Sequence, residues 1–288
     1  MEAGLLDFAP CVQMARLPPL CRLCMIWSTT AEACMTENHS AYLICGTPRS
    51  GTTLLCEMLY RSGIAGRPNS YFREVDITWW AGQWGVSLSE GTGGPSFDRA
   101  YLAAMREAAS AGTGICGLRI MYRSLKDAGR RMERALAVTS DLPTLFRAAF
   151  GPLLYVYISR DDKLGQAISL VRAEQTGLWH LNADGSVLEG AEERPDPVYD
   201  RNRISTVLAE LEEDGRAWEA FFAAHGIAPL RLTYEGLTAG PQRALMEIFG
   251  RLGLSQDAAK SIAVPTAKMA DATSRVWAER FETERGAR

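Results

Sequence analysis

Gly46-Thr-Pro-Arg49-Ser50-Gly51-Thr52-Thr53 sets two glycines around an arginine and follows them with hydroxyl side chains. A short apolar run, Tyr42 to Cys45, precedes it, and an apolar helical pattern follows Gly51. Strand, glycine-bounded loop and helix in that order bring backbone N–H groups and a helix N-terminus to one point, which is a nest for phosphate. The spacing Gly46-x4-Gly51-Thr52-Thr53 matches the phosphate-loop frame G-x4-G-K-[ST] except that Thr52 takes the lysine's place. Kinases and ATPases of that frame need the lysine on the β- and γ-phosphates, so its loss argues against γ-phosphoryl transfer. Arg49, inside the loop, suits the bridging oxygen of a shorter anhydride.

Two further arginines attract the same question. Arg160 stands just past the apolar run Leu153 to Ile158, and ligands of open α/β sheets lie beyond the C-terminal ends of strands. Its planar fork matches phosphate better than an ammonium does. It could equally pair with Asp161 or Asp162 at the surface. Arg119 interrupts the apolar run G-I-C-G-L-R-I-M-Y, where burying an unpaired charge is costly. The alternative is a strand-end side chain that reaches solvent.

The longer run T-P-R-S-G-T-T-L-L-C-E-M-L, continued by S-G-I-A-G-R-P at Ser62 to Pro68, resembles the bacterial carbohydrate sulfotransferases typified by trehalose 2-sulfotransferase. The resemblance extends in element order over about residues 41–285 and is dense at 41–68 and 155–179. It implies a P-loop NTPase-like three-layer α/β fold and a co-substrate, 3′-phosphoadenylyl sulfate (PAPS), with no metal. By the same likeness Arg49, Ser50, Gly51, Thr52 and Thr53 hold the 5′-phosphosulfate, and Arg160 with Ser169 binds the 3′-phosphate. Arg119 then faces the sulfuryl group or the acceptor, a hydroxyl of a sugar or glycolipid. A homodimer is implied as well, with Lys268 and the stretch 275–280 closing over the nucleotide.

One position departs from the pattern. The family's P-x-E-[YF]-F run carries its presumed base at Glu, whereas this chain reads Pro68-Asn69-Ser70-Tyr71-Phe72. A serine hydroxyl is too weak a base at neutral pH. Glu74, the first choice by proximity, Asp76 or His180 could replace it, or the step could rest on electrostatics with a different acceptor. His39 and His225 read as peripheral. The rival readings are a P-loop small-molecule kinase with Asp161 and Asp162 for Mg²⁺, and a nucleotide-binding module that has lost catalysis.

The rest of the chain must position these groups. Its 288 residues suffice for a full core, and 47% hydrophobic with 23% charged residues is ordinary globular composition. A net charge of −3 gives no general attraction to nucleic acid, so an anion site must be local. Apolar runs are too short or too interrupted to span a bilayer. An odd count of seven cysteines in a core-sized chain suggests reduced thiols and a cytoplasmic setting. Residues 1–40 lack periodicity and read as an extension, with Met35 a candidate natural start; 41–288 is the sulfotransferase-like domain. Cys21-x2-Cys24 has no second pair at metal-site spacing.

From residue 41 on, strands alternate with helices, which predicts a parallel sheet covered on both faces. Strands are expected at 41–45, 114–121, 153–158 and 230–234. Helices are expected at 52–62, 97–111, 141–150, 161–179, 201–225, 241–252 and 273–285. The segment 68–72 reads as a turn toward the sheet edge, and 82–96 and 182–197 as loops. Trp79, Trp80, Trp84 and Trp179 could stack on a sugar or pack in the core.

Overall fold

A computed structural model describes residues 39–89, 91–181, 186–190, 195–263 and 272–286, all within the unit Thr36–Arg288. The expectations for residues 1–34, Met35 and Lys268 lie outside the described residues. In chain order the elements are β1 (Ala41–Gly46), α1 (Thr52–Arg61), α2 (Ile77–Gln83), α3 (Pro95–Ser110), β2 (Cys116–Met121) and α4 (Leu125–Leu136). There follow α5 (Leu142–Phe150), β3 (Leu153–Ser159), α6 (Lys163–Thr176), β4 (Leu178–Leu181), β5 (Val187–Gly190) and α7 (Arg201–Ala224). The last are β6 (Leu230–Thr233), α8 (Tyr234–Ala239), α9 (Pro241–Leu252) and α10 (Ala272–Gly286). Short 3-10 turns lie at Glu74–Asp76, Tyr122–Ser124 and Gln256–Ser261.

The main sheet has four parallel strands in the order β2-β1-β3-β6. β1 is buried along its whole length, which is why it reads as a continuous apolar run rather than an alternating one. Leu43, Cys45, Leu118, Ile120 and Tyr157 point to one face and pack against α3, α4, α5 and α7. Tyr42, Ile44, Leu154, Val156 and Ile158 point to the other, against α1 and α9. Each face buries its own apolar cluster, and this gives three layers. A third cluster joins α6, α7 and α10 through Ile168, Val171, Ile204, Val207, Trp277 and Phe281. No helix among the described residues is long and apolar enough to cross a membrane.

The segment 68–72 returns to the sheet edge as expected. Asn69 bridges Leu118 in parallel, and the Arg119 N–H donates to the Asn69 carbonyl at 3.0 Å. This contact brings Ser70 alongside the outward end of β2.

Several local expectations are corrected. The expected helix 161–179 stops at Thr176, because Gly177 takes φ 67 and turns the chain into β4. β4 pairs antiparallel with β5, so part of the expected loop 182–197 is a strand. Helix α4 was not expected. Its apolar stripe is built from small or spaced residues, Leu125, Ala128, Met132 and Ala135, and it buries Arg131. α8 was also missed: its Thr233 side chain caps the Gly236 N–H at 3.0 Å, and only Leu237 is buried. Trp79 and Trp80 lie on α2, which takes in Gly82 and Gln83 from the expected loop 82–96.

Candidate functional site

The loop between β1 and α1 is fixed by its own residues and by two helices. Ser50 Oγ donates to the Thr47 carbonyl at 2.8 Å. Gln166 of α6, wholly buried, donates to Thr47 Oγ1 at 2.8 Å and to the Pro48 carbonyl at 2.6 Å. Trp218 of α7 donates from Nε1 to the Gly46 carbonyl at 2.9 Å. Gly51 is the N-cap of α1, with φ 90, and no side chain caps that helix start. The first N–H groups of α1 therefore face the site without a side-chain acceptor, with the positive end of the helix dipole behind them. A Cβ on Gly51 would lie 2.8 Å from the Tyr234 ring, so both conformation and space require glycine.

Arg49, at φ 64, occupies the left-handed region that non-glycine residues seldom adopt. That conformation sends its side chain toward α6 and β4. Arg49 Nε donates to Ser169 Oγ at 3.0 Å, and Nη1 donates to the Trp179 carbonyl and approaches His180 Nε2 at 3.3 Å. On the other side Arg119 donates from Nε to Ser70 Oγ and from Nη1 to Thr53 Oγ1, each at 2.7 Å. Arg119 is thus held by α1 and by the 68–72 turn rather than reaching into solvent. His180 lies within the field of both arginines. Burial first, then Arg49 and Arg119, push its imidazole down to about 3.

Arg160 follows β3. Nη2 meets Asp162 at 3.1 Å, and the guanidinium stacks 4.8 Å from the Tyr234 ring centre. Its Nε is buried and has no hydrogen-bond partner among the described residues. A buried donor without an acceptor costs free energy, which an anion arriving there recovers. Arg160 also lines a cleft of about 620 Å³ with Ser159, Asp161, Lys163 and Thr233. Ser169, the expected partner of Arg160, is bonded to Arg49 instead.

Glu74 sits elsewhere in the bonding network. Arg131 binds it through two nitrogens and also donates to Asp98 Oδ1 at 2.7 Å and to the Thr92 carbonyl at 2.8 Å. Asp76 pairs with Arg73 at 3.3 Å on the surface. Trp80 and Trp84 stack at 5.2 Å and join Tyr71 and Tyr101 in an aromatic cluster, which is packing; Trp79 is exposed. Asp162 caps α6 by accepting from the Gly165 N–H at 2.8 Å. The N–H groups of Asp161 and Asp162 donate to Glu235.

The family model described as Stf0 sulphotransferase matches residues 41–284. The chain belongs to the Stf0 sulfotransferase family. It is 26% identical over 270 residues to trehalose 2-sulfotransferase of Mycobacterium tuberculosis (strain Erdman), covering 87% of this chain and 97% of that protein. It is 26% identical over 276 residues to trehalose 2-sulfotransferase of Mycolicibacterium smegmatis, again covering 87% and 97%. The chain is therefore a sulfotransferase rather than the small-molecule kinase weighed from the phosphate-loop frame.

Within this Stf0 sulfotransferase the structure bonds Arg49 to Ser169 and His180, and Arg119 to Ser70 and Thr53, with His180 in the field of both arginines. Sequence reasoning did not single out Gln166 or Trp218. Gln166 left one trace, a polar residue inside the apolar helical run L-G-Q-A-I-S-L. Trp218 left none, since its stripe on α7 reads as ordinary core.

Proposed function

We propose that this sulfotransferase uses PAPS as donor and moves its sulfuryl group to a hydroxyl of a sugar, with trehalose the first acceptor to examine. The observation that carries the reading is the pair of fixed guanidiniums, Arg49 and Arg119, at the uncapped start of α1. Arg119 is bonded directly to Thr53 of that helix. Two cations and a helix N-terminus suit the charge that builds on a departing phosphate. The buried, unpartnered Nε of Arg160 supports a second anion nearby, the 3′-phosphate.

In this reading Ser50, Gly51, Thr52 and Thr53 present the loop and the first N–H groups of α1 to the 5′-phosphosulfate. Arg49 reaches the bridging oxygen, and Arg119 faces the sulfuryl oxygens with its orientation set by Ser70. Ser169 steadies Arg49, and Arg160 takes the 3′-phosphate. The chemistry is in-line displacement at sulfur, so it depends on orientation and on stabilising the leaving phosphate. A glycolipid acceptor, a homodimer and a cytoplasmic setting belong to the same reading, and sedimentation of the purified protein tests the dimer.

A thermal-shift titration with adenosine 3′,5′-bisphosphate (PAP), beside ADP and ATP with Mg²⁺, tests the donor. Ligand at a hundred times its dissociation constant adds about 2.7 kcal/mol to stability. PAP is expected to stabilise without Mg²⁺ and more than ADP. Stabilisation by ATP with Mg²⁺ and none by PAP would overturn the PAPS reading. Transfer of labelled sulfuryl from PAPS to trehalose and to other sugars then identifies the acceptor.

A further inference from the structure

We propose that Nε2 of His180 takes the proton of the acceptor hydroxyl, and that Arg49 covers this nitrogen until a bound donor draws the guanidinium away. The proposal rests on the PAPS reading above.

The geometry narrows the choice of base. The Ser70 hydroxyl accepts from Arg119, and Glu74 is bound by Arg131. His180 instead touches Arg49 and lies within the field of Arg119, the two arginines that would hold the reacting group. A guanidinium has donors only, so its approach to Nε2 at 3.3 Å means that this nitrogen carries the lone pair and Nδ1 carries the proton. The lone pair therefore faces the loop. Among the described residues the charged groups that act on the ring are Arg49 from the loop and Arg119 from β2.

Burial first, and then these two arginines, make the ring a poor base in the empty protein, where a third positive charge would sit beside two others. Donor binding removes the part of this obstacle that the arginines set. Its negative charges offset Arg49 and Arg119, and the pull on Arg49 uncovers Nε2. The balance is then complete: the acceptor oxygen bonds to sulfur, and the sulfur–oxygen bond to the 5′-phosphate breaks with its electron pair left on the phosphate. The hydroxyl proton passes to Nε2 and later to water. A base of this kind contributes about 10²–10⁴-fold.

Only three histidines occur in the chain, so imidazole nitrogen-15 spectra with His180→Gln as the assignment control give a direct readout. The free protein is expected to show His180 as the Nδ1–H form down to the lowest pH at which it stays folded. Saturating PAP is expected to raise its midpoint by at least one pH unit. An Nε2–H form, or a midpoint unmoved by bound PAP, would overturn the proposal. His180→Gln should keep PAP affinity within about threefold and lose at least a hundredfold in kcat with trehalose, with KM little changed. Unchanged kcat would also overturn it. Failure of the wild type to bind PAP would instead strike the PAPS reading itself.

Discussion

Arg119 commits both sides of its fork to hydroxyls, Ser70 and Thr53, so its direction is fixed before any substrate arrives. Such preorganisation is what makes a cation effective in transfer chemistry, because no reorganisation accompanies the reaction. Arg119→Ala is expected to lower kcat by about 10²–10³-fold, the loss that removal of one preorganised transition-state donor brings in other enzymes. Ser70→Ala keeps the Thr53 bond and should cost tenfold or less, which steady-state assays separate readily. At Arg160 the expectation is selectivity: Arg160→Ala weakens PAP binding strongly and ADP binding little, measured by titration calorimetry. Equal losses would mean that Arg160 serves both nucleotides alike, and the 3′-phosphate role would fall.

Three helices act on the loop, one through its start and two through single side chains. α1 begins at Gly51, α7 reaches the β1 exit through Trp218, and α6 braces the loop through Gln166. Gly51→Ala combines a left-handed backbone with a 2.8 Å approach to Tyr234. It is expected to destabilise by about 1–3 kcal/mol in urea unfolding and to abolish PAP binding. Arg131 poses a different case: it is buried at 6% exposure and ties α4 to Asp98 and Glu74. Arg131→Ala strands buried Asp98 with only Arg134 and should cost about 3–5 kcal/mol, read from the same unfolding curves. Sequence alone made the strands and the Gly46–Thr53 loop legible, because continuous apolar runs and paired glycines are local signals. It did not show α4, whose stripe uses alanines and hides an arginine, nor the partner of Ser169. Those depend on contacts between segments far apart in the chain: Ser169 meets Arg49 across 120 positions, and Arg131 meets Glu74 across 57.

At the scale of the whole molecule the site and the fold share one free-energy balance, and His180 connects them to pH. Its folded-state value of about 3 lies below the ordinary 6.5, so between these values the unfolded chain holds more protons than the native one. Stability from the neutral ring is complete above about pH 6.5 and falls as the pH drops toward 3. Across pH 7 to 5 that linkage amounts to about 2 kcal/mol. Carboxylates titrate in the lower part of the same range, so the informative quantity is the difference between wild type and His180→Gln. Glutamine can still accept from Arg49 but has no proton to gain. Urea unfolding at pH 7, 6 and 5 is expected to show wild type losing up to about 2 kcal/mol more than the variant. Saturating PAP should shrink that excess, because phosphate charge beside Arg49 and Arg119 lets the native ring take up its proton. Parallel acid dependence in the two proteins would mean that neither burial nor the arginines hold the ring of His180 neutral in the folded protein, and the electrostatic coupling between the loop and β4 would fail with it.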